Sequence, residues 1–140
     1  MSKHFLPILL LTGFTASLAA QTVNWASDIA PILYDHCVQC HRVGGIGHFS
    51  LIGYDNAFSF KNSIRSMTES RQMPPWKADP EYRHFAGENI LTDTEIQKIQ
   101  AWVAAGAPAG NLNQAPSDPV FGSGSAIGAP DLALTTPLHS

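Results

Sequence analysis

The sequence is poor in charged residues, in cysteine and in long apolar runs. Only 14% of its 140 residues are charged, about half of the fraction that is usual in soluble proteins. Its 8 Lys and Arg residues are outnumbered by 11 Asp and Glu residues and form no basic run, which excludes a nucleic-acid-binding surface. Two cysteines are too few for a disulfide-stapled miniprotein. No apolar run approaches the roughly 20 residues that span a bilayer.

Hydrophobic surface, by contrast, is plentiful, because 44% of the residues are hydrophobic. This is enough to build the core of about one domain and excludes a disordered acidic tail. Residues 1–20 combine Lys3, a short apolar run over residues 5–11, and small residues up to Ala19 and Ala20. That is the pattern of a secretory signal peptide. We therefore expect an exported protein, periplasmic or extracellular, that does not span the membrane after signal removal.

The sequence after the signal predicts three helical segments and no strand, so we expect an all-α fold. In the first helix, Ser27 or Asp28 is the predicted N-cap, and an apolar stripe begins at Ile29. A second helix is predicted from Asp55, with a core-facing stripe that ends at Met67.

The last predicted helix has the clearest start and stop signals. Thr92 and Glu95 form a capping box, and Gly106 ends the helix. Residues 22–109 are therefore the expected domain, and residues 110–140, rich in Gly, Pro and Ser, the expected tail. Three modest helices are marginal by themselves. We expect a large, covalently bound apolar cofactor to complete their core.

The sequence Cys37-Val38-Gln39-Cys40-His41 is C-x-x-C-H, the attachment motif of haem c. Two thiols one helical turn apart can add to the two vinyl groups on one edge of a porphyrin. The adjacent histidine can then bind the iron from the proximal face. The motif predicts one covalently bound haem c, attached through Cys37 and Cys40, with His41 as the proximal iron ligand.

Three other uses of the motif fit the sequence less well. A thioredoxin-like C-x-x-C follows a strand in a βαβ unit, which the sequence does not predict. A structural zinc site takes four ligands, usually from a second cysteine pair that this chain lacks. A disulfide between Cys37 and Cys40 stays open as an alternative, but it gives no role to His41.

The distal iron ligand of such a haem is usually a methionine sulfur or a second histidine. The candidates are Met67, Met73, His36, His48 and His84. Met73 is favoured, because the two prolines that follow it prevent a helix and give a stiff loop that can hold a thioether at the iron. His84 is the second choice and Met67, on the predicted core stripe, the third. His36 is expected to be packed or half-exposed, and His48 to be solvated.

With these residues in hand, the chain resembles the monohaem c-type cytochromes. More narrowly, it resembles the bacterial cytochrome c domain that precedes copper type II ascorbate-dependent monooxygenase-like domains. The similar segments are residues 23–51, 68–76 and 91–108. Residues 127–134 resemble the start of the domain that usually follows, so the tail is interpreted as the stub of such a domain. A truncated gene, a remnant, and a chain that works with a separate subunit all fit this interpretation. The resemblance implies the cytochrome c fold, in which the first and last helices cross beside the haem.

The resemblance also assigns roles to four residues. Cys37 and Cys40 hold the haem, His41 is the proximal ligand, and Met73 is the distal one. Similar sequences often have a proline where Val43 stands in this chain. A backbone carbonyl near Val43 is still expected to accept the N–H of the proximal imidazole.

These features predict an exported electron-transfer module that carries one electron at a time between redox partner proteins. No set of acid, base and nucleophile stands out in the sequence, so catalysis is not required. The alternative is a haem enzyme, peroxidase-like or a fragment of a monooxygenase, with an open or labile sixth iron site. A third hypothesis is a structural subunit that docks through residues 110–140 and that the haem merely stabilises.

Overall fold

The computed structural model describes residues 22–122, so the predicted signal peptide and residues 123–140 lie outside the described part. Four α-helices follow one another: α1 (Ala30–His36), α2 (Tyr54–Ser59), α3 (Lys61–Glu69) and α4 (Asp93–Ala104). A π-helical turn (Trp25–Ile29) leads directly into α1, and a 3-10 turn (Leu112–Gln114) follows α4. Residues 22–122 contain no strand, which confirms the predicted all-α class. None of the helices described is long and apolar enough to cross a membrane.

The first helical segment begins earlier than predicted. Asn24 is the N-cap, and neither Ser27 nor Asp28 has that role: the Asn24 side chain accepts a hydrogen bond from the Ser27 N–H at 3.1 Å. In return, the Asn24 N–H donates to a carboxylate oxygen of Asp28 at 3.1 Å. The reason for the early start is tertiary. Trp25 is buried, and its N–H donates to the Pro108 carbonyl at 2.9 Å, far along the chain.

The predicted second helix is in fact two helices. The backbone breaks at Phe60, whose ψ of 9° lies outside the helical region. The buried positions are Ala57, Ile64 and Thr68, so the prediction that Met67 faces the core is wrong; its side chain is 41% exposed. Thr68 can occupy the core because its hydroxyl donates to the Ile64 carbonyl at 2.8 Å.

Helix α4 confirms its predicted start and stop. The Thr92 hydroxyl accepts from the Glu95 N–H at 3.3 Å, and a Glu95 carboxylate oxygen accepts from the Thr92 N–H at 2.7 Å. After the helix, Gly106 has a φ of +84°, a conformation that glycine adopts without steric cost. The buried Trp102 then donates its indole N–H to the Pro108 carbonyl at 3.0 Å. This bond ties the chain that leaves α4 to the core.

Helix α4 packs against α3 and against the π-helical turn, so the first and last long helical segments meet in the core. The largest fully buried side chains are Trp102, Ile29, Leu33, Ile99, Val38 and Thr68. Burying an aliphatic side chain such as Ile29 or Leu33 stabilises the folded state by about 1.5–3 kcal/mol. Because Val38 lies inside the C-x-x-C-H motif, the core anchors that motif directly.

Residues 110–122, the described part of the predicted tail, lie against the helices. The 3-10 turn contacts the π-helical turn. The hydroxyl of Tyr34 donates to a carboxylate oxygen of Asp118 at 2.6 Å. Burial and this carboxylate raise the pKa of Tyr34 to about 12, so the phenol stays a donor. Further on, the Arg42 guanidinium lies 4.2 Å from the centre of the Phe121 ring. The chain thus returns to the neighbourhood of the motif.

Candidate functional site

The C-x-x-C-H motif continues the helical course of α1 past its last residue. The N–H of Cys37 donates to the Leu33 carbonyl at 2.9 Å, and the N–H groups of Cys40 and His41 both donate to the Cys37 carbonyl, at 3.1 and 2.9 Å. The two cysteines are therefore one turn apart, and both are free thiols. This is the arrangement that addition to two vinyl groups on one porphyrin edge requires.

The Cys37 thiol is held in its neutral form. Burial, with a further contribution from the nearby Cys40, raises the pKa of Cys37 to about 12. A thiol–disulfide oxidoreductase needs the opposite, since the thiolate is its nucleophile and a lowered pKa makes that thiolate available. The environment of Cys37 suits an uncharged sulfur, such as a thiol or a thioether.

The imidazole of His41 has one enclosed nitrogen. Its Nδ1 atom is buried without a hydrogen-bond partner, whereas Nε2 is not enclosed in this way. Within the described part of the chain, no backbone carbonyl accepts a hydrogen bond from Nδ1, so the prediction that one near Val43 does is wrong. Gly47 lies beside this nitrogen, since a Cβ built on it would be 2.6 Å from Nδ1. With Nδ1 enclosed, Nε2 is the ring nitrogen that remains as a candidate metal ligand.

The glycine-rich stretch after His41 is a closed loop that supports this ring. The Gly47 N–H donates to the Cys40 carbonyl at 2.9 Å, and the Leu51 N–H donates to the His41 carbonyl at 3.0 Å. The Leu51 side chain is only 3% exposed, so the far end of the loop is anchored in the core. Between these points, the ring centre of Phe49 lies 4.6 Å from that of His41.

Met73 lines a cavity to which the C-x-x-C-H motif does not contribute. Its N–H donates to the Met67 carbonyl at 3.1 Å, which folds the loop back onto the end of α3. Its side chain is 39% exposed. Together with Trp76 and Leu91 it lines a cavity of about 110 Å³, and no residue of the C-x-x-C-H motif lines that cavity. This is less than the roughly 300 Å³ of small ligand pockets.

Asn89 joins the residue before the motif to the stretch of chain that enters the cavity beside Met73. Its side-chain amide donates to the His36 carbonyl at 3.0 Å, and its Oδ1 atom lies 2.8 Å from Nδ1 of the same histidine. His36 directly precedes Cys37. The two residues that follow Asn89 line the cavity beside Met73. One short stretch of chain thus connects the surroundings of the two predicted haem-binding regions.

Arg71 ties the loop that contains Met73 to the start of α4. Its guanidinium donates to the Leu91 carbonyl at 3.3 Å and also pairs with the carboxylate of Asp93. The backbone of Arg71 has a φ of +53°, which residues with a side chain rarely adopt. Nothing in the spacing of the motifs indicates this role, because the partners of Arg71 lie about 20 residues away.

Glu95 connects the cap of α4 to the end of α1. Its Oε1 atom lies 3.3 Å from Nε2 of His36, while its other oxygen receives the hydrogen bonds of the capping box from Thr92. Burial by itself raises the pKa of Glu95, but the bonds from Thr92 and the contact with His36 outweigh burial and leave that pKa below its usual value. Sequence reasoning identified the cap but missed the contact with His36.

The remaining candidate ligands lie on the surface or in ion pairs. The His84 side chain is 84% exposed, and its Nδ1 atom lies 3.0 Å from a carboxylate oxygen of Glu88. His48 is exposed, as expected. Met67 is half-exposed on α3, as described above.

The residues around the motif fit a haem c. They provide two thiols one turn apart, a neutral and partly buried sulfur at Cys37, and a histidine, His41, with only Nδ1 enclosed. Residues 22–122 contain no group of three or more His, Cys, Asp or Glu side chains that could hold a metal ion. Haem iron needs no such group, because its protein ligands are only the axial ones. Comparison with known proteins finds no matching family model, curated protein or solved structure.

Proposed function

We propose that the protein is an exported monohaem c-type cytochrome that carries one electron at a time between redox partner proteins. The observation that supports this proposal most directly is the C-x-x-C-H motif at the end of α1. Its two cysteines are one turn apart, and its histidine has Nδ1 enclosed, which leaves Nε2 as the proposed ligand atom. Such a site needs no further catalytic residues, since the redox chemistry belongs to the cofactor.

Four residues would hold the cofactor in this proposal. Cys37 and Cys40 would form the two thioether bonds, and His41 Nε2 would be the proximal iron ligand. Met73 is the proposed distal ligand, with His84 as the alternative. Bound haem would supply a one-electron change between ferric and ferrous iron. The protein contributes axial ligands, burial and limited access of water, and a methionine ligand raises the reduction potential relative to a second histidine.

The state of Cys37 supports a structural sulfur at this position. With its pKa raised to about 12, the thiol is uncharged at neutral pH, unlike the thiolate of a thiol–disulfide oxidoreductase. Conversion to a thioether would leave an uncharged sulfur in the same buried environment, so burial would not oppose the bound state.

The helix packing supports the cytochrome c fold as part of the proposal. The resemblance implies that the first and last helices cross beside the haem. In this chain, α4 packs against the π-helical turn that leads into α1, and α1 ends at the motif. The buried side chain of Val38 links the motif itself to the same core.

The predicted export of the protein agrees with covalent attachment of the haem. Residues 1–20 have the pattern of a secretory signal peptide. A covalent tether keeps the haem with the protein in a compartment where a dissociated cofactor would be lost by dilution. Signal and motif therefore support the same proposal from two separate parts of the chain.

One observation favours the second candidate, a peroxidase-like haem enzyme with a labile sixth site. The Met73 side chain is 39% exposed and lines a cavity apart from the motif. A distal ligand that leaves the iron readily would open a position for peroxide. The state of the sixth ligand therefore separates the electron carrier from the enzyme.

The test is the absorption spectrum of the full chain, matured with haem attachment, in its oxidised and reduced forms. Wild type, Met73→Ala and Met67→Ala are compared. Met67 is the matched control, because the two methionines are 41% and 39% exposed and lie at the same end of α3. We expect a weak sulfur-to-iron charge-transfer band in wild type and in Met67→Ala, and its loss in Met73→Ala.

Other outcomes decide against parts of the proposal. A wild-type band that persists in Met73→Ala removes Met73 as the ligand. A five-coordinate wild-type haem that reacts with peroxide favours the enzyme. A chain that attaches no haem, in a host that matures other c-type cytochromes, refutes the proposed function itself.

A further inference from the structure

The backbone of Gly47 passes unusually close to the predicted proximal ligand. A Cβ built on Gly47 would lie 2.6 Å from Nδ1 and 3.0 Å from Cγ of His41, and 2.9 Å from the carbonyl oxygen of Cys40. Real Cβ atoms essentially never approach other heavy atoms closer than 3.0 Å. Any side chain at this position must therefore displace the imidazole or the backbone of the motif.

The motif backbone is poorly able to give way. The Cys40 carbonyl already accepts hydrogen bonds from the N–H groups of Gly47, at 2.9 Å, and Arg42, at 3.2 Å. It belongs to the turn that sets the spacing of the two cysteines. A shift there would break bonds on both sides of the carbonyl, whereas the imidazole has no hydrogen bond to lose at Nδ1. The ring is the part that can move with fewer hydrogen bonds lost.

A second ring limits the directions in which the imidazole can move. Phe49 lies 4.6 Å from His41 between ring centres and is tilted by 35°. Phe49 is itself stacked on Phe60, with ring centres 3.9 Å apart. Gly47 and Phe49 together limit the positions that the imidazole can take.

We infer that Gly47 is a positioning residue for His41. Its lack of a side chain sets the orientation of the imidazole and hence the direction from which Nε2 would meet a haem iron. The inference rests on the proposed function, because the iron is the group for which this orientation matters. Gly47 adjoins the ligand ring and would not itself bind the iron.

A side chain would meet different surroundings at Gly44 and at Gly47, so Gly44 provides a matched control. Gly44 has a φ of +73°, and a Cβ there would meet nothing within 4 Å. Its substitution strains the backbone without touching the imidazole. Gly47 has no such positive φ, so its substitution adds no strain of that kind but crowds the imidazole and the Cys40 carbonyl. The two substitutions separate a destabilised loop from a displaced ligand.

The experiment compares wild type, Gly47→Ala and Gly44→Ala as haem-loaded full chains. The readouts are the paramagnetically shifted proton NMR signals of the His41 ring, the electron paramagnetic resonance g values of the ferric form, and the midpoint of thermal unfolding. We expect Gly47→Ala to shift or lose the ring signals and to change the g values. Gly44→Ala should lower the unfolding midpoint and keep the wild-type signals.

Wild-type ring signals and g values in Gly47→Ala would overturn the inference and leave the proposed function intact. The same spectral change in both variants would also overturn it, because the cause would then be loop destabilisation. A wild-type chain that attaches no haem would overturn the proposed function and the inference together.

A second variant covers the case in which Gly47→Ala accumulates no loaded protein. Gly47→Ala combined with Phe49→Ala gives the imidazole room to move on its other side, with Phe49→Ala alone as the reference. We expect the double variant to load haem and to show displaced His41 signals. Failure of the double variant to load, or signals identical to those of Phe49→Ala, overturns the inference.

Discussion

The two predicted iron ligands lie in segments that are held in opposite ways. The proximal segment, residues 37–51, is closed by backbone hydrogen bonds between its own residues. The distal segment, residues 71–90, folds back onto α3 and depends on the Arg71 side chain, which reaches the Leu91 carbonyl about 20 residues away. Local bonds form with little loss of chain entropy, whereas the long-range contact requires that α3 and α4 are already packed.

The proximal segment is also more buried than the distal one. The proximal segment contributes Val38 and Leu51 to the core, at 1% and 3% exposure. In the distal segment, residues 81–87 are all exposed. Regions with few buried contacts open locally at a lower free energy than the core. We therefore expect the distal segment to open without global unfolding, and the proximal segment to unfold only with the core.

The largest expected effect comes from removing the core anchor of the proximal segment. Leu51→Ala should lower the free energy of unfolding by roughly 2–5 kcal/mol, because it leaves a cavity beside the loop that supports His41. Denaturant unfolding of the loaded chain, followed by circular dichroism, measures this change. Leu112→Ala is the control, since Leu112 is 53% exposed and its loss should cost less than about 1 kcal/mol. Equal costs would contradict the contrast between the segments.

A smaller effect on stability, with a large effect on the sixth ligand, is expected from Arg71→Gln. The substitution removes an exposed ion pair and should cost at most about 1 kcal/mol. It should nevertheless weaken or abolish the sulfur-to-iron band, because the loop that contains Met73 loses its tie to α4. Absorption and unfolding are measured on the same sample. Arg65→Gln, which breaks the exposed pair with Glu69 on α3, should leave the band unchanged.

Glu95, which connects the cap of α4 to the end of α1, makes the stability of the fold depend on pH in the acid range. Because the pKa of Glu95 is lower in the folded than in the unfolded chain, its contribution is fully present above the usual glutamate pKa of about 4.3 and is lost as the pH falls through the lowered value. Glu95→Gln should reduce stability near neutral pH and flatten its decline in acid. Unfolding free energies from neutral to acid pH test this, with the exposed Glu69→Gln as control. If the unfolding free energies of wild type and Glu95→Gln depend on pH in parallel, the lowered pKa of Glu95 is refuted.

The smallest effect is expected at the alternative distal ligand. His84→Ala removes a side chain that is 84% exposed together with its pair to Glu88, so stability should change within about 0.5 kcal/mol. The absorption spectrum should stay that of wild type if Met73 is the ligand. A changed spectrum in His84→Ala, with an unchanged one in Met73→Ala, would reverse the order of the two candidates.

The successful predictions concern interactions between residues close in sequence. The capping box of α4 joins Thr92 to Glu95, three positions apart, and both of its bonds form as predicted. The stop at Gly106 likewise depends on the conformation of one residue. The spacing of Cys37 and Cys40 is a property of one helical turn. Such interactions form whatever the rest of the chain does.

The failed predictions concern contacts between distant parts of the chain. The helix start lies at Asn24 because Trp25 bonds to Pro108 across the fold. The break at Phe60 accompanies its stacking on Phe49, and it changes which residues of α3 face the core. Periodicity along one helix contains no information about either contact, so Met67 was placed in the core although it lies at the surface.

By itself, the sequence determined the all-α class, the bounds of α4, and the C-x-x-C-H motif with its one-turn spacing, because each depends on local geometry. The tertiary structure decided how the motif is supported: Gly47 beside Nδ1 of His41, and Arg71 between the Met73 loop and α4. It also decided that residues 110–122 return to the helices through Asp118. The physical reason is the same in each case, since these contacts exist only after packing has brought distant segments together.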